Sequence, residues 1–443
     1  MGDAGETHVR RWPLDALASD EPPPKPNALW DVLGRGATGT RGKRASAGDA
    51  GAAAEPLLKR KRTEAPAQDS GFIAIGGVAG TGQEDEDAAA DAEALAPDPL
   101  ATGASARPVW AREEPYHTEW HLALHQQLLD FVRFLSPTEA ERAVRATLLA
   151  RLEGIVAGVF RSAEVQVFGS YATDLYLPTS DIDVCVMGSG VSQRDALHQL
   201  GGALRRHGFE RVQCIDNAKV PIVKCVDTGS GISVDVSFDV SNGPANVGLI
   251  KDYLRRYPAL RPLVLVLKCF LQQRKLNEVF SGGIGSYCLI LIVMSHLQMY
   301  GSNFRRPPEQ KPSLGTLLTD LFHLYGKLFN YTNVGVAPRG RGSYFAKEAR
   351  GWKQQHRPHM LSVEDPQDSE NDVAKSSFNI FAVRRAFAYG HSLLCSAEQR
   401  HASEGGAGGT PLGALVPEIS AGGRLRDGAV LQNIDLFYGW TKS

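Results

Sequence analysis

Apolar residues are scattered and aperiodic over residues 1–108, which are rich in Ala, Gly, Pro and charge. Such a segment cannot bury enough surface to offset the entropy of ordering it, which predicts a disordered tail. Regular patterning begins near Trp110. Residues 122–135 carry apolar positions at helical spacing. Ser136-Pro137-Thr138-Glu139 supplies a helix start, with Ser136 or Thr138 as cap, and the helix continues over 140–160. The period then changes. Residues 164–168 read as a strand, followed by a Gly169-Ser170 turn, a loop, and a second strand carrying Asp181 and Asp183. A helix over 195–207 closes at Gly208, and strand-like runs lie within 212–226. Residues 231–240 alternate cleanly, with Ile232, Val234, Val236 and Phe238 on one face and Ser233, Asp235, Ser237 and Asp239 on the other. From Val247 the pattern is mainly helical, clearest over 263–274, 287–299, 313–325 and 378–394. Residues 332–376 read as loop-rich, 405–409 as a flexible break, and 412–419 as one more helix.

These patterns predict an α+β fold of two domains: a small mixed-sheet α/β domain over 137–240 and a mainly helical domain over 241–420. Residues 109–136 pack on the helical domain, and 421–443 form a C-terminal tail. A length of 443 residues accommodates two cores. The composition, 43% hydrophobic and 22% charged with a net charge of −1, gives no general attraction to nucleic acid, so any basic surface is local. Six cysteines without CxxC spacing sit mostly in apolar runs, which argues against a disulfide framework or a zinc site and for a reducing compartment. The most apolar stretches, 263–267 and 289–294, are too short to span a bilayer, and the N-terminus lacks a secretion signal. An intracellular, soluble protein is expected, with no membrane partner. The basic run Lys59-Arg60-Lys61-Arg62 suits nuclear import or nucleic-acid contact as well as it suits a solvated patch. The acidic block at 84–87 reads as solvating.

The chemistry concentrates in residues 167–186. Carboxylates at i and i+2 of a strand share a side, so Asp181 and Asp183 would repel unless a cation lay between them. Hard divalent cations such as Mg²⁺ take carboxylates together with substrate phosphates. A Gly169-Ser170 turn offers unhindered N–H groups and a hydroxyl to a phosphate. Together they suggest nucleotidyl transfer. Two-metal sites hold ions about 3.5–4 Å apart and need a further carboxylate. Alternation offers Asp235 or Asp239 and does not choose between them.

Phe168-Gly169-Ser170 followed by Leu177-Pro178-Thr179-Ser180-Asp181-Ile182-Asp183 resembles the signature of the DNA polymerase β-like nucleotidyltransferases, and most of all the TRAMP-type non-canonical poly(A) polymerases of the Trf/PAP-associated-domain family. Three further segments in the same order strengthen the likeness: 233–238, 276–287 and 361–373. The resemblance implies a polymerase β-like catalytic domain joined to a PAP-associated helical domain. It implies a metal triad of Asp181, Asp183 and Asp235, and assigns Asp239 no catalytic role. It places the triphosphate at Gly169 and Ser170, and phosphate contacts at Lys268 and Ser286. It makes Tyr287 the stacking surface for the incoming base and Asn246 a ribose contact. A second basic residue one turn past Lys268 is Gln272 in this chain, with Arg274 two further on. The segment holding Glu364, Asp365, Asn371 and Asp372 resembles the nucleotide-recognition motif; acceptors there suit adenine's exocyclic amine, with Glu364 and Asp365 equally suited to anchoring the loop.

The activity so implied is addition of AMP from ATP to RNA 3′ ends, assisted by Mg²⁺ or Mn²⁺ at a two-metal site, in nuclear RNA surveillance. No RRM, KH or zinc-knuckle segment is recognisable in the chain, so its own RNA affinity is expected to be modest. The resemblance implies a zinc-knuckle RNA-binding subunit and an RNA helicase as partners. The rivals are a terminal uridylyltransferase on the same fold, an RNA-binding scaffold with an idle site, and a small-molecule nucleotidyltransferase.

Overall fold

The structure, a computed structural model, describes residues 107–218, 220–240, 242–301, 311–403 and 409–416. In chain order its helices are α1 (Trp120–Leu135), α2 (Glu139–Val159), the single turn α3 (Gly169–Ala172), α4 (Gln193–Arg206), α5 (Asn242–Arg256), α6 (Leu260–Gln272), α7 (Ser286–Met299), α8 (Leu314–His323), α9 (Ile380–Ser403) and α10 (Pro411–Leu415). The strands are β1 (Glu164–Phe168), β2 (Ile182–Met187), β3 (Phe209–Ile215), β4 (Ile222–Asp227), β5 (Ser233–Phe238), β6 (Val334–Ala337) and β7 (Ser343–Ala346).

The first five strands form one mixed sheet in the order β1-β2-β5-β4-β3. Only β2 and β5 run parallel; the other neighbours are antiparallel. α2 enters through a full capping box, in which the Thr138 hydroxyl accepts from Glu141 N–H and the Glu141 carboxylate accepts from Thr138 N–H. Ser192 caps α4 in the simpler way. Leu148, Leu152 and Val156 of α2 and Leu197, Leu200 and Leu204 of α4 bury one face of the sheet, joined by Val184, Val234 and Val236 from the strands.

A second core belongs to the helices. α7 is apolar around its whole circumference and is buried from Tyr287 to Gln298, as a helix with no polar face must be. α1, α6, α8 and α9 surround it. The two cores meet at the loop between α3 and β2. Leu175 and Leu177 from that loop pack in the helical core. Arg261 on α6 pairs with the Asp174 carboxylate at 3.3 Å and donates to the Ser136 hydroxyl at 3.2 Å. The segment carrying the candidate acids is thus clamped between the two lobes.

Several expectations are adjusted. β2 starts at Ile182, so Asp181 stands one residue before the strand rather than on it. The Gly169-Ser170 turn is the opening of the one-turn helix α3. The final helical turns after 313 widen into a π-helical segment, Leu324–Leu328. The loop-rich stretch 332–376 contains the hairpin β6-β7, to which Val363 adds a bridge at Val336. α9 runs well past the expected end at 394. The tail expected over 1–108, its Lys59–Arg62 and 84–87 runs, and 421–443 fall outside the described residues except for 107 and 108, as do most of the 405–409 break and residues 417–419. All six cysteines are free thiols. Among the described residues no helix is long and apolar enough to cross a membrane.

Candidate metal and nucleotide site

Parallel pairing of β2 with β5 places Asp183 opposite Asp235. With Asp181 at the mouth of β2, the three residues bring ligand oxygens within 4.8 Å of one another. Asp235 is 6% exposed, while Asp181 and Asp183 are half-buried. Gly169 lies directly over this cluster with φ +66, and a Cβ built on it would collide with the Asp183 carboxylate. Two independent constraints therefore call for glycine: left-handed backbone and the approach of an acid. Ser170 follows it, with Thr173 Oγ1 donating to the Gly169 carbonyl at 3.0 Å.

The cluster carries strain of charge. Burial, then Asp181 and Asp235, push the Asp183 carboxyl well above the usual carboxylate range. Burial, followed by Asp181, pushes Asp235 up to about 6 against the pull of Lys224. Lys224, register partner of Asp235 on β4, reaches the Asp235 carboxylate at 2.7 Å. Lys268 on α6 donates to the Leu175 carbonyl at 2.9 Å, and burial lowers its ammonium to about 8 against the pull of Asp181 and Asp183. Two ammonium groups against three carboxylates leave the cluster under-neutralised. An all-oxygen donor set with residual negative charge fits a hard divalent cation. Gln272, at the position of the second basic residue, donates instead to the Thr179 hydroxyl at 3.4 Å. Arg274 lies over the Phe270 ring at 3.8 Å and donates to the Leu415 carbonyl at 3.4 Å, so it serves the C-terminal packing.

A second polar cluster sits deeper between the helices. Ser286 is the first residue of α7, half-buried, and Tyr287 follows it with 2% of its surface exposed. The Tyr287 hydroxyl lies 3.0 Å from Asp365 Oδ1 and 3.1 Å from Asn246 Oδ1. One proton serves one acceptor well, and the carboxylate is the stronger. Burial, then Asp365, raise the Tyr287 phenol far above its ordinary value. Asn371 Nδ2 donates to Asp365 Oδ2 at 3.2 Å. Asp372 is turned into its own loop, where Oδ1 accepts from Val363 N–H and Ala374 N–H, each at 2.9 Å. Glu364 forms ion pairs with Arg339 at 3.5 Å and with Arg350.

The structure therefore gathers Asp181, Asp183, Asp235, Gly169, Ser170 and Lys268 at one place. It gathers Asn246, Tyr287, Asp365 and Asn371 at another, with Ser286 beside Tyr287. Asp239 is apart from both; exposed, at φ +53, it accepts from Gly188 N–H at 2.7 Å. Sequence reading missed Lys224 and Glu278. Glu278 has a carboxyl raised by burial and by Asp181, and lies within the fields of Lys224 and Lys268.

The family model described as "Poly(A) RNA polymerase, mitochondrial-like, central palm domain" matches residues 124–255, and "Cid1 family poly A polymerase" matches 313–371. Among solved structures, the polymerase core of TRAMP, an RNA surveillance complex, is 34% identical with a TM-score of 0.63, covering 68% of this chain and 95% of that one. The Cid1 poly(U) polymerase, at 24% identity and a TM-score of 0.54 over 62% of this chain and 95% of that one, shares the fold. Fold and site together define a polymerase core of the nucleotidyltransferase class. Poly(A) RNA polymerase cid14 of Schizosaccharomyces pombe is 38% identical over 291 residues, 65% of this chain and 42% of that protein. The chain spans less than half the length of that curated relative. It belongs to the family of TRAMP-type non-canonical poly(A) polymerases.

Proposed function

We propose that the chain is a template-independent RNA nucleotidyltransferase that adds AMP from ATP to RNA 3′ ends. The observation that carries this reading is the convergence of Asp181, Asp183 and Asp235 beneath Gly169. The three acids would hold Mg²⁺ or Mn²⁺, which would lower the pKa of the attacking hydroxyl and offset charge on the leaving pyrophosphate. Gly169 and Ser170 hold the triphosphate, and Lys268, with Ser286 at the start of α7, adds positive field to it. Lys224 fixes Asp235 in one orientation through the 2.7 Å pair. The RNA 3′-hydroxyl gives up its proton to solvent as its oxygen bonds to the α-phosphorus; the bond from that phosphorus to the oxygen bridging to the β-phosphate breaks, and pyrophosphate leaves.

Base choice lies in the second cluster. The bond from the Tyr287 hydroxyl to Asp365 holds the ring on which the base stacks. Asn371, fixed by Asp365, is the better reader of adenine, since Asp372 would have to give up two backbone bonds. A role in RNA surveillance is supported by the likeness to the polymerase core of TRAMP, described as an RNA surveillance complex. A nuclear location, with a zinc-knuckle subunit and a helicase as partners, belongs to the same proposal and rests on the family resemblance.

A uridylyltransferase would use the same triad. Extension of a labelled RNA primer with each of the four nucleotides separates the readings. ATP is expected to be preferred; preference for UTP would replace the adenylyl reading with the uridylyl one, and extension by none would remove both.

A further inference from the structure

The loop between α6 and α7 joins the helix that carries Lys268 to Ser286 and turns aromatic rings toward solvent. Backbone bonds from Ile284 N–H to Leu276 O and from Gly283 N–H to Glu278 O, both 2.9 Å, close the loop on itself. Exposed Glu278 opens its outer turn, and Val279 after it packs on Gly285, the residue before Ser286. Its tip carries Phe280, 65% exposed. Two residues on, Gly282 at φ +79 packs so tightly against the Phe378 ring that a Cβ there would press into it, and Asn379 N–H donates to the Gly282 carbonyl at 2.9 Å. Phe378 is 49% exposed, and so is Phe381 at the start of α9, with the His359 ring 4.0 Å from it. Exposed cations lie on the same segments of chain. Lys275 is exposed at the loop's entry, and exposed Arg357 is close enough to His359 to lower its pKa.

We propose that Phe280 and Phe378 form a stacking platform for the unpaired nucleotides just upstream of the RNA 3′ end, an assignment that rests on the nucleotidyl-transfer reading. Single exposed apolar residues need no explanation, but exposed rings gathered on one surface mark a site of interaction. Here they accompany exposed cations, and Phe280 sits on the loop that leads into Ser286 and Tyr287, with Phe378 packed onto that loop at Gly282. A polyanion with flat bases suits both features, whereas a protein partner would use the rings and leave the cations idle. Stacking also tolerates any base, which an enzyme that extends varied 3′ ends needs.

The test is the Kd of the full chain for a fluorescent single-stranded oligonucleotide and for a blunt RNA duplex, measured without nucleotide. Phe280→Ala/Phe378→Ala is expected to weaken single-strand binding by about tenfold or more, the loss of at least one stacked base. Duplex binding should be unchanged, and Phe280→Tyr/Phe378→Tyr should restore the single-strand value. An unchanged single-strand Kd would overturn the platform and leave the rings to a protein partner. An equal loss on the duplex would overturn it as well, because charge rather than stacking would then be at work. Both readouts are independent of catalysis: wild-type incorporation of ATP is scored separately, so a failed polymerase reading and a failed platform give different results.

Discussion

Gly169 shows how much of the site hangs on a single missing atom. Its φ of +66 alone would make alanine there cost about 1–2 kcal/mol. The greater effect is on Asp183, into which the new methyl would push. Displacing a reacting group by about 1 Å can cost roughly 10²-fold in rate. Gly169→Ala is therefore expected to fold and to lose about 10²-fold or more in primer-extension kcat with ATP; a rate near wild type would contradict the cradle geometry. Asp181, Asp183 and Gly169 were legible because they lie within one short stretch of chain. Asp235 and Asp239 were not separable by alternation. The separation comes from where β5 ends: Asp239 lies past Phe238 in left-handed backbone and serves Gly188 instead. Lys224 was hidden for a different reason. Its partner is a residue of the neighbouring strand, and no local pattern states which strands pair.

Among the elements, α7 carries the most consequence. It buries His296, whose Nε2 lies 3.0 Å from the Leu317 carbonyl. Burial depresses the imidazole from 6.5 to about 4. In that window the unfolded chain takes up a proton that the folded chain refuses, so stability falls as pH drops from 6.5 toward about 4. The whole effect is worth ~3 kcal/mol. Denaturant unfolding across this range should show wild type losing ~3 kcal/mol more than His296→Gln, and parallel curves for the two would contradict a neutral buried imidazole. Strong periodicity made α1, α2, α4 and the strands β1 and β5 legible. The hairpin β6-β7 was not, because strands of four residues leave too few positions for alternation to register. What holds that hairpin is tertiary: Val336 pairs with Val363, and the Lys347 ammonium is bound by the carbonyls of Tyr331, Pro358 and Met360.

At the scale of the molecule, the site exists only where two cores meet. The sheet supplies Asp183, Asp235 and Lys224, and the loop entering it Asp181; the helical lobe supplies Lys268, Ser286 and Tyr287. Lys268 and Arg261 reach across from α6 to the Leu175 carbonyl and to Asp174, which fixes the acid-bearing loop against the helices. The change of period near residue 240 made two lobes legible in the sequence, but their mutual placement rests on these contacts between residues far apart in the chain. The central claim is that the triad, with bound metal, transfers a nucleotidyl group to RNA. Its most direct test is incorporation of ATP labelled at the α-phosphate into an RNA 3′ end, comparing wild type with Asp181→Ala/Asp183→Ala, with Mg²⁺ or Mn²⁺ present and after chelation. The account predicts labelled, lengthened RNA and released pyrophosphate from the metal-loaded wild type alone; equal extension by the double variant or by the chelated protein would contradict it.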